Sequence, residues 1–321
     1  MDFKQLRALI TVAETGNVSK AAKILNVVQP AVSKQIKQLE DELGVSLFFR
    51  DKRGMELTYE GKILEEHAHR IMDEIKVARE KISATSEMAI GTVTVGLLAS
   101  VSDVLSSILI GSLERLYPRI EVRIVMGHAE HILSWLERGD LEIALLYADA
   151  AVAEMEISKI IEENLYLIGA VDCGLSVETP VAFSDAMALP LIFANAKYGI
   201  RYLVDQAAKR VGVRPRVVLE TSALSVQKRL ILEGYGHTIL PWVAVADDVK
   251  NGRLAAAPIV MPTLTRQLGL GVMSSRLQSK ATQCVLAEML LCIKRIVHTG
   301  EWPEARWLGA REAEAIGVTY S

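Results

Sequence analysis

The sequence predicts an α/β protein whose large domain follows a small, mostly helical module and one long helix. Three observations predict it. Within the first 44 residues, apolar positions recur every three or four residues in three short runs. From Thr58 to about Glu87 the same period continues unbroken, and after Gly91 it gives way to short β-rich runs alternating with helical ones. The 321 residues leave room for two or three cores, and a chain half apolar and 23% charged is not wholly disordered.

In the first run, "MDFKQLRALITVAETG", Leu6, Leu9, Ile10 and Ala13 share a face and Gly16 closes the helix. Ser19 reads as the cap of a short second helix, "KAAKIL"; the sequon at Asn17 is read as the turn leading into it. In the third, "VVQPAVSKQIKQLEDELG", Val32, Ile36, Leu39 and Leu43 form one core-facing stripe. Pro30 suits the first turn and Gly44 the position past the end. Pro30, Ala31, Lys34, Lys37 and Gln38 project from the opposite face. Next, "SLFFR" and "MELT" flank "DKRG", a tight β-ribbon with Arg50, Lys52 and Arg53 at its tip. The order helix, helix, helix, ribbon describes a winged helix-turn-helix.

Thr58 reads as the cap of the long helix, in which Leu64, Ala68, Ile71, Ile75, Ala78 and Ile82 form an a/d seam. A helix with one apolar stripe needs a partner, and the simplest is its own copy. Beyond Gly91, the β-rich runs "TVTVGLL", "IEVRIVM", "EIALLY", "LYLIGAV", "LPLIFA", "RVVLE", "HTILP" and "RQLGLGV" predict a sheet of parallel strands. Helices are expected over Ser102 to Tyr117 and His131 to Gly139. The Gly, Ser and Pro between Val171 and Pro180 suggest two lobes. The last stretch, "EWPEARWLGAREAEAIGVTYS", shows no clear role.

A net charge of −3 gives no global bias toward nucleic acid or membrane, and residues 1–61 carry nine Lys or Arg against eight Asp or Glu. Any DNA-binding surface must therefore arise from local placement. Cys173, Cys284 and Cys292 are far apart and form no C-x-x-C, which predicts free thiols in a reducing cytoplasm. The charged first helix is not a secretion signal, and the uncharged stretch Met88 to Ser102 is too short to span a membrane. No G-x-S-x-G, Walker-type, H-E-x-x-H or dinucleotide motif is present, so no enzyme and no cofactor is expected. His128 and His131 lack a third ligand at metal spacing, so no metal is expected either.

The stretch "AAKILNVVQPAVSKQIKQLEDELGVSLFFRDKRGMELTYEGKIL", Ala21 to Leu64, resembles the helix-turn-helix of LysR-type transcriptional regulators almost residue by residue. "MGHAEHILSWLERGDLEIALLY", the R-x-x-V-D at Arg201 to Asp205 and "LILEGYGHTILP" extend the resemblance over nearly the full length. Val28 departs from it, standing where the family usually has serine. "VDCGLSVETP" replaces a usual His-Pro-Leu, as in the nitrogen-assimilation-type members. The resemblance implies a winged helix-turn-helix over 1–58, a dimerising linker helix over 59–90 and a two-lobed effector domain over 91–300, built like a periplasmic binding protein. Lobe I would take about 91–164 and 266–300, lobe II about 165–265, and 301–321 would form a C-terminal tail. It also implies a cytoplasmic homotetramer that binds promoter dyads, contacts RNA polymerase and responds to a small, often anionic effector.

The expected DNA contacts are Gln29, Pro30, Ala31, Ser33, Lys34, Lys37, Arg50 and Arg53. In a crevice beyond the carboxyl ends of the strands, the expected effector contacts are Ser100, Ser102, His128, Arg201, Thr221 and Ser222. Arg201 can hold a carboxylate through its guanidinium or pair with Asp205 one turn along. The alternative is a solute-binding or enzyme-like domain fused to a helical module that recruits protein. Such a module would expose large apolar residues where this helix shows small, polar and cationic ones.

Overall fold

The computed structural model describes residues 1–51, 54–83, 89–150, 155–194, 199–274 and 276–309. The chain divides into two compact units, Met1–Ile82 and Ser83–Ser321.

In the first unit, α1 (Phe3–Thr15) starts where the Asp2 carboxylate accepts from the amides of Lys4 and Gln5, and stops at Gly16 in the left-handed region. Helix α2 (Val18–Ile24) is capped by Asn17 and not by the expected Ser19: Asn17 Oδ1 accepts from the amides of Ser19 and Lys20 at 2.9 and 3.0 Å. Asn is as strong a cap as Ser, so its earlier position sets the boundary. Helix α3 (Gln29–Leu43) buries Val32, Ile36 and Leu39 and ends at Gly44. Leu43 departs from the expected stripe: in the last turn of α3, next to Gly44, it is 42% exposed and takes no part in the core.

Strands β1 (Phe48–Asp51) and β2 (Gly54–Leu57) pair antiparallel. Helix α4 (Tyr59–Ser83) begins at Thr58, whose hydroxyl accepts from the Gly61 amide and donates to the Ser46 carbonyl, tying the helix to the ribbon. Leu64 and Ala68 pack into the core formed by Leu6, Leu9, Val12, Val32, Ile36, Leu39, Leu47 and Phe48. The start of the seam is thus used within the unit, whereas Ile71 is exposed. The side chains of Ala78 and Ile82 lie outside the described residues.

The second unit runs β3 (Gly91–Leu98), α5 (Ala99–Leu116), β4 (Ile120–Gly127), α6 (Ala129–Arg138), β5 (Ile143–Tyr147) and β6 (Met155–Ala170). It continues with β7 (Val181–Ala182), α7 (Phe183–Ala188), β8 (Leu191–Phe193), α8 (Ile200–Val211), β9 (Val217–Glu220), α9 (Leu224–Leu232) and β10 (Thr238–Pro241). Last come α10 (Ala246–Lys250), β11 (Leu254–Val260), β12 (Thr265–Met273), α11 (Lys280–His298) and β13 (Ala305–Trp307). The main sheet has the order β4-β3-β5-β12-β6-β11-β7, with β10 and β13 also paired to β6, and β8 pairs β9 separately.

The all-parallel expectation is corrected here. β3 is parallel to β4 and β5, β7 to β11, and β8 to β9, but β12, β11, β10 and β13 all run antiparallel to β6. The reason is topological: β6 carries the chain out of one half of the unit, and β11 and β12 bring it back alongside. β6 has 16 residues. Up to Asn164 it pairs with β12, and from Leu165 onward with β10 and β11.

Core follows the same division. Val95, Leu97, Leu105, Leu145, Ile161, Leu268, Val285 and Met289 fill the first half. In the second half, strand alternation sends Leu165 and Leu167 toward Phe183, Val204 and Ile259, and Tyr166 and Ile168 toward Ile192, Ile231 and Leu240. Residues 301–309 are not a loose tail. β13 pairs with β6 at Ile161–Glu163, and Trp302 is 1% exposed.

Gly61, at the start of α4, has no room for a side chain, since an added Cβ would stand 2.1 Å from the Leu47 carbonyl oxygen. Gly61→Ala should cost the first unit about 1–3 kcal/mol by overpacking. Calorimetry should show its transition lowered while that of the second unit stays in place.

Candidate functional site

On α3, Gln29, Pro30, Lys34, Lys37 and Gln38 are exposed, and Ala31 and Ser33 are half-buried beside them. Burial of Val32, Ile36 and Leu39 fixes this rotation, so the polar face is a consequence of the core stripe. Val28, at the N-cap position, offers no side-chain hydrogen bond to the helix end and is 71% exposed. The positive end of the α3 dipole therefore opens outward next to Gln29. Gln29 Nε2 stands 3.5 Å from Ser33 Oγ, too long to hold either group. Arg50 lies in β1, opposite Met55. Its side chain, with Lys52 and Arg53, lies outside the described residues.

The second unit holds a cavity of about 110 Å³ walled by the start of α5, the β4–α6 junction, the end of β8, the start of α8, α9 and β12. Ser100, His128, Arg201 and Ser222 all line it. Ser102 does not: two residues along a helix from Ser100 it faces elsewhere, is 3% exposed, and donates to the Ala99 carbonyl. Nor does Thr221 line it; its amide donates to the Phe193 carbonyl at the end of β8.

Arg201 adopts the structural pairing. Its Nε donates to both Asp205 oxygens at 3.0 and 2.9 Å, Nη1 lies 3.5 Å from Glu220, and the guanidinium sits 5.4 Å from the Phe193 ring centre. Its cation is therefore already balanced.

The cavity's most buried polar group is absent from the sequence-based expectation. Arg266 on β12 is 2% exposed; its Nε donates to Glu163 Oε2 at 2.7 Å and its Nη1 to Ser100 Oγ at 2.9 Å. Nη2 is buried and has no hydrogen-bond partner among the described residues. The Tyr147 ring centre is 6.0 Å away. Burial lowers the Arg266 pKa, but Glu163 and Tyr147 outweigh it, so the net shift is upward and the cation persists. Burial raises the Tyr147 phenol, with Arg266 only partly opposing it, so the hydroxyl stays protonated. Across the cavity, Gln227 is fixed by bonds to the Ile192 carbonyl and Thr238 hydroxyl at 2.8 and 2.6 Å.

The other Glu163 oxygen accepts from the Trp302 indole at 2.7 Å. The sequence offers little signal, because Arg266 sits between the polar Thr265 and Gln267 at the start of β12, and only the β12–β6 register sets it opposite Glu163. His128 and His131 rings are 6.1 Å apart, and no group of three metal-ligating side chains occurs among the described residues. Among those residues, no helix is long and apolar enough to cross a membrane.

Arg266→Met would leave Glu163 buried without its cation, which should cost the second unit about 3–5 kcal/mol. Arg306→Ala removes an exposed ion pair to Glu162 on the same strand and should cost about 0–1 kcal/mol. Denaturant unfolding of the two variants measures that contrast.

Two family models match this chain: residues 3–62 fit the bacterial regulatory helix-turn-helix protein, lysR family, and residues 86–290 the LysR substrate binding domain. The HTH-type transcriptional regulator BbuR of Bordetella bronchiseptica is 25% identical over 305 residues, 94% of this chain and 93% of BbuR. The nitrogen assimilation regulatory protein nac of Klebsiella aerogenes is 26% identical over 92% of this chain and 96% of its own. A full-length OxyR variant from Pseudomonas aeruginosa superimposes with a TM-score of 0.72 at 22% identity, over 91% of this chain and 95% of OxyR. CbnR complexed with its target DNA gives 0.65 at 23%, over 92% and 99%.

Proposed function

This chain belongs to the LysR family of DNA-binding transcriptional regulators, and from that premise we propose that α3 is the element that enters the major groove of promoter DNA. The observation that carries this reading is the exposed face of α3. It presents amide groups and two lysines at its centre and an uncapped, positive end at Gln29. Lys34 and Lys37 meet phosphates, Gln29 and Ser33 reach base edges, and Pro30 and Ala31 allow close approach. Arg50 and Arg53 of the ribbon contact the flanking backbone. A protein-recruiting module is disfavoured by the lack of a large apolar residue at the centre of this face.

Residues 1–58 form the DNA-binding domain and 59–90 the linker in this reading. Two copies pair along α4 through Ile71 and Ile75, and two such dimers form a tetramer at a dyad promoter. The effector domain spans 91–300, with lobe I at 91–164 and 266–300 and lobe II at 165–265. A small anionic effector occupies the cavity and meets Ser100, His128, Ser222 and the Arg201 and Arg266 guanidiniums. It shifts the tetramer between shapes by binding one of them better, which changes the grip on DNA and on RNA polymerase. The matched relatives are transcriptional regulators, and in this reading the chain is a regulator that acts in the cytoplasm without a catalytic step.

Lys34→Ala should weaken binding to all duplexes alike and reduce the slope of log affinity against log salt by about one. Gln29→Ala should relax sequence preference with little change in non-specific affinity. Salt titrations and selection from a random duplex pool measure both effects; an unchanged Lys34→Ala slope would exclude α3 as the docking face.

Ile75→Asp would bury one carboxylate from each copy, unpaired, along the seam. Sedimentation should show the dimer lost, together with the affinity for dyad DNA. A dimeric variant that binds normally would move the interface off α4.

A further inference from the structure

The matched substrate-binding region ends at residue 290, yet the chain continues through Trp302 and β13 onto β6 beside Glu163, the partner of the cavity's Arg266. We infer that this C-terminal segment is a working part of the effector site: Trp302 positions Glu163 so that Arg266 keeps one N–H free for the carboxylate of a small effector.

Glu163 is 2% exposed and serves two donors, with Oε1 on the Trp302 indole and Oε2 on Arg266 Nε, both at 2.7 Å. A carboxylate beside a guanidinium prefers the two-point arrangement, taking Nε and a terminal nitrogen together. The indole holds Oε1 and limits the contact with Arg266 to a single point. Ser100 takes Nη1 at 2.9 Å, and Nη2 is left buried without a hydrogen bond on a residue that lines the cavity. A buried N–H of a cation without an acceptor is a demand for one, and a ligand carboxylate supplies it.

The segment is anchored well enough for this task. Ala305 and Trp307 pair with Glu163 and Ile161, the Leu308 amide donates to the Ile160 carbonyl, and the Tyr166 hydroxyl donates to Glu304 at 3.1 Å. Trp302 itself is 1% exposed. A cavity of about 110 Å³ admits a molecule on the order of ten non-hydrogen atoms, since each water-sized occupant needs roughly 10–15 Å³ of such space.

The inference rests on the reading of the cavity as the effector site. Its test uses the full-length chain, isothermal titration, acetate, pyruvate and succinate as probes, and acetamide as the uncharged control. At least one carboxylate should bind the wild type at one site per chain, with acetamide at least ten-fold weaker. Trp302→Phe, which removes the N–H, should weaken that carboxylate ten-fold or more. Glu163→Asp, which retracts the carboxylate but keeps its charge, should do the same and stands in if Trp302→Phe fails to fold. Arg306→Ala loosens β13 without touching Glu163 and should stay within two-fold of wild type. If no carboxylate binds the wild type, the effector reading of the cavity falls and the inference with it. If one binds but Trp302→Phe and Glu163→Asp match wild type, or Arg306→Ala loses as much as they do, the segment is only structural and the positioning role is overturned.

Discussion

Strand β6 is the constraint on which the second unit depends. Its backbone is shared: β12 takes Met155 to Asn164, β10 and β11 take the rest, and β13 takes Ile161 to Glu163 from another side. The cores of both halves hang on one continuous strand, so a displacement of either half has to pass through a few residues near Asn164 and through the return from β11 to β12. The buried pair Glu163–Arg266 lies at that crossing. Once both ions are out of water, breaking the pair leaves a bare charge inside, far costlier than the intact pair is favourable. It therefore acts less as glue than as a restriction on which arrangements of β6 and β12 are allowed.

The first unit obeys a different constraint. Three short helices and a ribbon share one small core, in which Val32, Ile36 and Leu39 are fully buried. Because a helix stripe fixes rotation about its axis, burying those three residues decides which side chains of α3 face outward. Gly61 adds a second restriction, since only a glycine lets α4 pass this close to the Leu47 carbonyl. Presentation of Lys34 and Lys37 thus depends on residues that never meet solvent.

Much of this is legible in the sequence, and the exceptions share a cause. The core of the α1 and α3 stripes, Gly16 and Gly44 as stops and the cap at Thr58 are local signals and are realised, with Leu43 the exception. The face of α3 is legible for the same reason. β11 reads "LAAAPIV", poor in the branched and aromatic residues that announce strands, and β7 and β13 span only two and three residues. The first half of β6, "MEISKIIEEN", carries charges that mask its alternation. Of the six expected cavity residues, Ser100, His128, Arg201 and Ser222 come together at strand ends and helix starts, whereas Ser102 turns away with its helix and Thr221, though next to the end of β9, stays out of the cavity. Arg266, Glu163 and Trp302 stay hidden because they meet only through pairings 103 and 139 residues apart, which no local pattern encodes.

Net charge explains neither site, and the geometry shows what replaces it. In the cavity, Arg266 is matched by Glu163, and Arg201 by Asp205 and Glu220, so the region carries no excess of positive charge. Over residues 1–61, nine cations face eight anions. Any attraction for an anion must then come from distances shorter than those at which the opposing charges cancel it. At physiological salt, exposed charges are screened beyond about 8 Å, whereas a buried N–H is hardly screened at all. In the proposed reading, an exposed lysine on α3 would contribute to phosphate affinity in a salt-dependent way. The open N–H of Arg266 would act through direct hydrogen bonding and depend on salt far less. The same near-neutral chain thus holds one surface suited to a diffuse polyanion and one cavity suited to a small acceptor at a fixed position, distinguished by burial and not by charge count.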